Sequence, residues 1–396
     1  MKKLSNARLL FGHDLLEVLT AKPTPAFSND TLDFLCLLSD AGLKFCKSNP
    51  DYSEYSSFFF WIRLNNLLNI HKKYPSFLFG RGLSFHIAPA NVPANLLYTL
   101  VFGLLAGNPS IIRGSERIEE QLKPIFKLIN KIIGECTFSQ LPLFSCISYP
   151  RDQDLNAYLS SLANVRLIWG GDDTVSYFKS LSTLNTCVDI TFPSKTSYTY
   201  IDKDLFDKLD TKAKLSCFQR LASDIELYSQ NACSSPIALV IKSSSSYHSN
   251  SFFSQLSCEL QKLAINKKKN SVDSFYSASD ASISLIEPPL GVHRSPYLNI
   301  FFYKHEQINE IIALKRPSNS LLYACYVRKF SDFNPPLTAQ TITLLPHSAE
   351  SALNLYYEIE CSSINRIVPA GRAIDMHLLW DGYDIIAMST KHLTFK

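Results

Sequence analysis

Short apolar runs alternate with longer apolar or amphipathic stretches along the middle of the chain, and Gly, Pro or Asn punctuate them. Residues 84–88 read as a buried strand, and residues 95–106, almost wholly apolar, as a helix. Pro93 suits the first turn of that helix, where a missing N–H costs nothing. Gly107-Asn108 supplies its stop. A strand is expected over Ser110–Arg113 and a helix over 116–133, with acidic residues early, Lys127 and Lys131 late, and Gly134 after it. Pro124 is expected either to kink this helix or to mark its true start. Further strands are expected over 143–148, Val165–Trp169, Val188–Phe192, 197–201 and 237–241. Helices are expected over 153–163 and, as one long amphipathic element, over 205–228. Residues 243–246 and the polar run 267–279 read as loops. This β-α alternation specifies parallel sheets with helical cover, an α/β architecture.

Glycine placement changes the picture. Eight of the 13 glycines fall between Gly80 and Gly171, and none occurs from Asp172 to Leu290. Close approach of backbone to a ligand favours glycine, so the first half is expected to cradle the ligand. The familiar cradles are nevertheless missing. Gly80-x-Gly82-x-x-Phe85 lacks the third glycine of the dinucleotide fingerprint and precedes a strand instead of opening a helix. No phosphate loop, His-Glu-x-x-His or Gly-x-Ser-x-Gly occurs.

Composition and charge narrow the classes. With 396 residues, 46% apolar and 19% charged, the chain has length for two or three domains and is not a disordered tail. The net charge of +4 comes from 39 basic and 35 acidic residues spread along the whole length, which argues against nucleic acid as a partner. Lys267-Lys268-Lys269 reads as a solvated loop. The longest apolar stretch, 96–106, is well short of the roughly 20 residues of a membrane helix, and the N-terminus lacks a signal-peptide pattern. The ten cysteines form no Cys-x-x-Cys and have no histidine pair at zinc spacing, so no metal site is expected. Reduced thiols in a cytoplasmic protein are the simplest expectation.

Three segments carry candidate chemistry. In residues 86–95, Asn91 lies between Pro89 and Pro93 at a strand-to-helix turn, where its amide is either a helix N-cap or a rigidly aimed donor. Residues 166–172 run from a strand into Gly170-Gly171, a weak nucleotide-loop signal in isolation. In residues 229–236, Cys233 stands in a small-residue loop, open to substrate and to backbone N–H donors that favour a thiolate. The other cysteines, among them Cys146, Cys187 and Cys325, sit mostly among apolar neighbours and read as small buried hydrophobes.

Together these segments make the chain resemble the LuxC-type acyl-CoA reductases, the fatty acyl reductases of bacterial luminescence operons and a branch of the aldehyde dehydrogenase superfamily. The resemblance runs from about Ser84 to the C-terminus. It also rests on Leu104-Leu105-Ala106-Gly107-Asn108, Arg366-Ile367-Val368-Pro369-Ala370-Gly371 and Trp380-Asp381-Gly382. It implies an aldehyde dehydrogenase-like fold: a Rossmann-like dinucleotide domain with the N-terminal segment over 1–195, and a catalytic α/β domain over 196–370. The segment 371–396 would then serve an oligomer contact.

Carried over by position, the resemblance makes Cys233 the nucleophile and Asn91 the oxyanion-hole amide. It aligns Arg113-Gly114-Ser115-Glu116 with the segment that meets the cofactor's adenosine ribose, so Arg113, Ser115 and Glu116 become cofactor-binding residues. It aligns Trp169, Gly170 and Gly171 with the nicotinamide-dinucleotide loop. The cofactor implied is NADPH, with NADH compatible. Arg113 and Arg117 suit a 2′-phosphate, and Glu116 would repel one if it pointed at the ribose. Phe192-Pro193-Ser194-Lys195 falls over the last four residues of the superfamily's Glu-Leu-Gly-Gly-Lys segment, so Thr191 replaces the glutamate that activates hydrolytic water. The function implied is reduction of a fatty acyl-CoA, or of an acyl-protein thioester, to the aldehyde through a cysteine acyl-enzyme. An acyl-protein synthetase subunit and further copies of the chain are the partners it implies. Two alternatives stay open at this point: a cysteine-dependent acyltransferase or thioesterase without dinucleotide, and a non-catalytic scaffold for an acyl-activating partner.

Overall fold

Strands β1 (Arg8–Gly12), β2 (Leu78–Gly80), β3 (Ser84–Ile87), β4 (Ser110–Arg113), β5 (Phe144–Ser148), β6 (Val165–Trp169) and β7 (Val188–Phe192) belong to the N-terminal part. The computed structural model describes residues 4, 6–150, 152–244, 250–266, 271–285, 287–359 and 361–394. The chain divides into two units, Met1–Ser194 with Met376–Lys396, and Lys195–Asp375. In the first, six strands form a sheet in the order β1-β5-β4-β3-β6-β7, parallel except for β1 at its edge. Strands β3, β5 and β6 are buried at every position, as continuous apolar runs in a parallel sheet require.

β3 is the centre of this sheet. It pairs with β4 on one side (Ile87 opposite Arg113) and β6 on the other (Ile87 opposite Ile168). The chain leaves β3 through the helix Ala94–Leu105, whose residues are nearly all buried, in keeping with its being apolar all round. After β4 comes the helix Glu116–Glu135, which buries Ile118, Leu122, Ile125, Phe126, Ile129 and Ile132 along one face. The chain then returns through β5 and the helix Gln153–Leu162 to β6 on the far side of β3. The strand order therefore reverses between β3 and β6. Ahead of all this, the helices Asn29–Ser48, Ser56–Trp61 and Leu64–His71 organise residues for which the sequence pattern offers no element.

The second unit contains β8 (Thr196–Asp202), β9 (Pro236–Lys242), β10 (Gly291–Ser295), β11 (Leu298–Phe302), β12 (Leu321–Val327), β13 (Ala339–Leu345) and β14 (Arg366–Pro369). Its sheet order is β10-β11-β12-β9-β8-β13-β14, parallel apart from the β10–β11 hairpin. Alternate residues serve its two faces. Ala238 and Val240 of β9 enter one core with Tyr200, Tyr323 and Ile342, while Leu239 and Ile241 enter the other with Leu221, Leu256 and Leu322. The C-terminal residues then rejoin the first unit. They form a short hairpin of β15 (Leu379–Trp380) and β16 (Tyr383–Asp384), and β17 (Thr390–His392) pairs with β2.

Several expectations need correction. The stretch 205–228 is not one helix but Lys203–Phe206, then Thr211–Glu226, then the turn Leu227–Gln230. Asp210 breaks the run because its carboxylate caps the second helix, accepting from Ala213 N at 2.8 Å. Of the polar run 267–279, residues 267–270 lie outside the described residues, as do 245 and 246 of the other expected loop, whereas Val272–Ser284 is a helix. Gly134 lies inside its helix, which ends at Glu135. Pro124 is interior to the same helix and does not mark its start. The carbonyl it leaves without an N–H partner is that of exposed Glu120, which water can reach. Pro93 is the N-cap of Ala94–Leu105 and gives no side-chain capping bond, so Asn91 is not that helix's cap.

Candidate active site

In the first unit the candidate residues converge on one edge. Asn91 follows β3, Arg113-Gly114-Ser115-Glu116 follows β4, and Trp169-Gly170-Gly171 ends β6. These are the carboxyl ends of three adjacent parallel strands, flanking the point where strand order reverses. Open α/β sheets bind ligands in that crevice. Two buried polar atoms there have no partner, Arg113 Nε and Ser115 Oγ. The Arg113 guanidinium also lies 4.8 Å from the centre of the Tyr149 ring. Ser115 is the N-cap of Glu116–Glu135 yet makes no capping bond. A nucleotide's hydroxyl and phosphate oxygens match this set: a cation, a hydroxyl and the N-terminus of a 20-residue helix. Glu116 is exposed in that helix's first turn.

The Gly-Gly pair works by space. A Cβ on Gly170 would come within 2.8 Å of Thr174, whereas one on Gly171 would meet nothing closer than Ser194 Oγ at 3.7 Å. Asp172 then fixes the turn by accepting from Ser194 N at 3.1 Å. The Trp169 ring points into the core. It stacks on Phe192 with centroids 3.7 Å apart, and its Nε1 donates to Thr99 Oγ1 at 3.3 Å. Thr99 also bonds His86 Nδ1 at 2.9 Å, and His86 Nε2 bonds Ser84 Oγ. Complete burial draws the His86 pKa down to about 3, so the ring stays neutral. Thr191, in β7, is buried and pairs with Ile168.

In the second unit Cys233 is half-buried in the loop ahead of β9. This loop has an unusual backbone. Tyr228, Ser229 and Gln230 all have positive φ (54°, 52° and 64°), and so do Asn319 and Ser320 (51° and 62°) in a second loop ahead of β12. Such runs of non-glycine residues are costly and persist only where surroundings enforce them. The enforcing group is Gln230, fully buried, whose Nε2 donates to the carbonyls of Pro236 and Leu321 at 2.9 Å and whose Oε1 accepts from Ser320 N at 3.0 Å. The carboxamide thus ties both loops together. Next to Cys233 the backbone is held twice more. Ser197 Oγ donates to the Cys233 carbonyl at 2.9 Å, and Arg316 Nη2 donates to the Ala232 carbonyl at 3.4 Å.

Burial raises the pKa of Cys36, Cys46, Cys146, Cys187, Cys217 and Cys325, with Cys187 pushed up to about 11. Those thiols are kept protonated and inert at neutral pH. All ten cysteines are free thiols. Among the described residues no three His, Cys, Asp or Glu side chains gather as a metal site. Among the described residues no helix is long and apolar enough to cross a membrane. Sequence reasoning missed Arg316, Ser197 and the tying role of Gln230. Their partners lie from 6 to 121 positions away, and no local pattern signals them.

Solved structures place this architecture. The chain matches aldehyde dehydrogenase 21 from Physcomitrella patens, crystallised with the product succinate, at a TM-score of 0.63 and 10% identity, covering 91% of this chain and 84% of that one. It matches 1-pyrroline-5-carboxylate dehydrogenase from Thermus with bound NAD at 0.62 and 11% identity, over 91% and 80%. NADP-dependent glyceraldehyde-3-phosphate dehydrogenase from Bacillus halodurans, complexed with NADP, matches at 0.59 and 12%, over 92% and 85%. The fold is that of the aldehyde dehydrogenases, a Rossmann-like α/β unit with a second α/β unit. Within that class the chain belongs to the acyl-CoA reductase (LuxC) family, whose model matches residues 64–286, more than half its length. It is accordingly an oxidoreductase-type enzyme acting on acyl and aldehyde groups. No curated protein matches the chain.

Proposed function

We propose that this enzyme reduces a fatty acyl thioester, carried by coenzyme A or by a partner protein, to the aldehyde through an acyl-enzyme on Cys233. The observation that carries this reading is the setting of Cys233: a half-buried thiol whose own and preceding carbonyls are both anchored, in a loop that buried Gln230 holds in a strained shape. The Cys233 thiolate attacks the thioester carbonyl, and the coenzyme A or partner thiolate leaves. Its backbone N–H and the Asn91 amide, assigned through the resemblance of residue segment 86–95, stabilise the oxyanion. Asn91 is exposed at the exit from β3.

Arg113, Ser115 and the N-terminus of Glu116–Glu135 hold the adenosine end of a nicotinamide dinucleotide, a role their partnerless buried atoms support. Gly170 and Gly171 leave its other end room to approach. When bound, that cofactor supplies the hydride that the acyl group accepts. NADPH is favoured over NADH because Arg113 and Arg117 flank the same turn. Thr191 offers no proton acceptor near neutral pH, so water competes poorly for the acyl group.

The test follows the two half-reactions. Mixing the protein with a long-chain acyl-CoA in the absence of reduced dinucleotide should add one acyl mass, mapped to Cys233. Adding NADPH should then release aldehyde with loss of its absorbance. Fatty acid released at the same rate with or without NADPH would show a thioesterase instead. An adduct on Cys217 or Cys258 with Cys233 untouched would overturn the site.

A further inference from the structure

Arg316 lies ahead of β12, and its guanidinium is poorly matched by ordinary partners. Nη1 donates to the Lys195 carbonyl at 3.0 Å and Nη2 to the Ala232 carbonyl at 3.4 Å. Arg316 is an exposed residue, and among the described residues no carboxylate pairs with it. Two backbone carbonyls provide acceptors but no counter-charge. The titratable groups that face it are Cys233 and Tyr198. Burial pushes the Tyr198 phenol up to about 12, so it stays neutral at physiological pH. Cys233 is the remaining group that could carry a negative charge there. The bond to the Ala232 carbonyl places the guanidinium one residue from the nucleophile's own backbone.

We propose that Arg316 is a positioning residue for Cys233, holding the Ala232 carbonyl and supplying the positive charge that stabilises the Cys233 thiolate. On this account the thiol's proton passes to solvent, the guanidinium keeps its own protons, and no covalent bond to Arg316 forms. Burial lowers the pKa of the guanidinium, and the neighbouring Cys233, and after it Tyr198, act in the opposite direction. The proposal rests on the reading of Cys233 as nucleophile, but its test does not need substrate.

The experiment is the pH dependence of Cys233 alkylation by iodoacetamide in the full-length protein, read by peptide mass mapping. Arg316→Gln should raise the midpoint by about one pH unit, which is about tenfold slower labelling below the midpoint. Arg316→Met keeps the packing of the aliphatic stem and serves where Gln does not fold. Arg316→Lys should recover most of the shift, since it restores the charge without the fork. Ser197→Ala removes the other bond to this loop without changing charge, and its midpoint should stay at the wild-type value. An unmoved midpoint in folded Arg316→Gln or Arg316→Met would overturn the proposal. A shift in Ser197→Ala equal to theirs would also overturn it, because loop geometry would then be the cause. If the shift appears but acyl-CoA leaves no adduct on Cys233, the electrostatic link stands and the nucleophile assignment fails.

Discussion

The first unit presents its candidate residues at the carboxyl ends of β3, β4 and β6, whereas the second presents Ser197, Cys233 and Arg316 at the amino ends of β8, β9 and β12. The two ends of a parallel strand offer different chemistry. At the carboxyl ends, helix N-termini and free N–H groups face the ligand, which suits anions and costs little strain. At the amino ends no such gift exists, and the backbone must be bent into place by side chains. The first unit accordingly uses glycines at Gly170 and Gly171, and neither needs a positive φ. The second uses five non-glycine residues with positive φ and one buried carboxamide. Glycine density therefore points to the carboxyl-end loops of the first unit, and misses the Cys233 loop, which is built by enforced strain.

The comparison can be broken at its strongest point first. Cys233→Ala should abolish the acyl adduct and lower turnover by a factor on the order of 10⁶, the scale for removing a nucleophile. Dinucleotide affinity, measured by fluorescence titration, should survive if, as proposed, the dinucleotide sits on the first unit. Loss of both together would show that the units do not divide the work in this way. Asn91→Ala should lower kcat by roughly 10²–10³. Since Asn91 is not the helix cap, thermal melting should hardly change; a drop of several degrees with kcat intact would return Asn91 to a structural role.

Gln230→Ala tests the enforced strain directly. It leaves buried donors and acceptors of Pro236, Ser320 and Leu321 unmatched, at about 1–3 kcal/mol. Urea melts should register the loss, and hydrogen exchange should localise it to the loops 227–235 and 315–320. Exchange unchanged there would mean that packing alone sets the loop.

What the sequence revealed follows the same division. β4, β6 and β7 were legible to the residue because their apolar, β-branched runs stand between clear punctuation. The helix Val272–Ser284 was hidden by its serines, which favour turns and caps over helix interiors. It buries only Ser274, Ala278 and Ala281, so no apolar stripe announces it. The break at Asp210 was hidden because Asp reads equally as a solvated helix residue and as a cap. Cys233 stood out through its small-residue neighbours and the family motif. Arg316 carries no local signal at all, since its meaning comes from a loop 84 positions away.

Taken per pH unit, the smallest effect concerns pH, and it separates the units by sign. In the first, His86 is held neutral with its pKa near 3 against an ordinary value of 6.5, so that unit should lose stability as pH falls below 6.5 towards 3. In the second, burial lifts Asp224 from 3.8 to about 7, although Gly371 and Ala373 donate N–H bonds to it. Its contribution is complete below 3.8 and is lost as pH rises to about 7. Each slope is at most about 1.4 kcal/mol per pH unit. Calorimetry across pH 4–8, with His86→Gln and Asp224→Asn as controls, should show the two slopes cancelled separately. Slopes that survive both substitutions would place the titrating groups elsewhere.

The last twenty residues have a consequence for how the protein is made. Asn108 Nδ2 donates to the Ser389 carbonyl, Arg81 Nε to the Met388 carbonyl, and β17 completes a ladder with Gly80. The unit that contains β1 and β2 is thus finished only by β17, with the whole Cys233 unit inserted between. On a ribosome releasing about 5–20 residues per second, β2 must wait roughly fifteen seconds or more for its partner strand to be synthesised. During that wait the inserted unit, continuous in sequence, is free to fold first. The unit that carries Cys233 is then ready before the first unit has been closed.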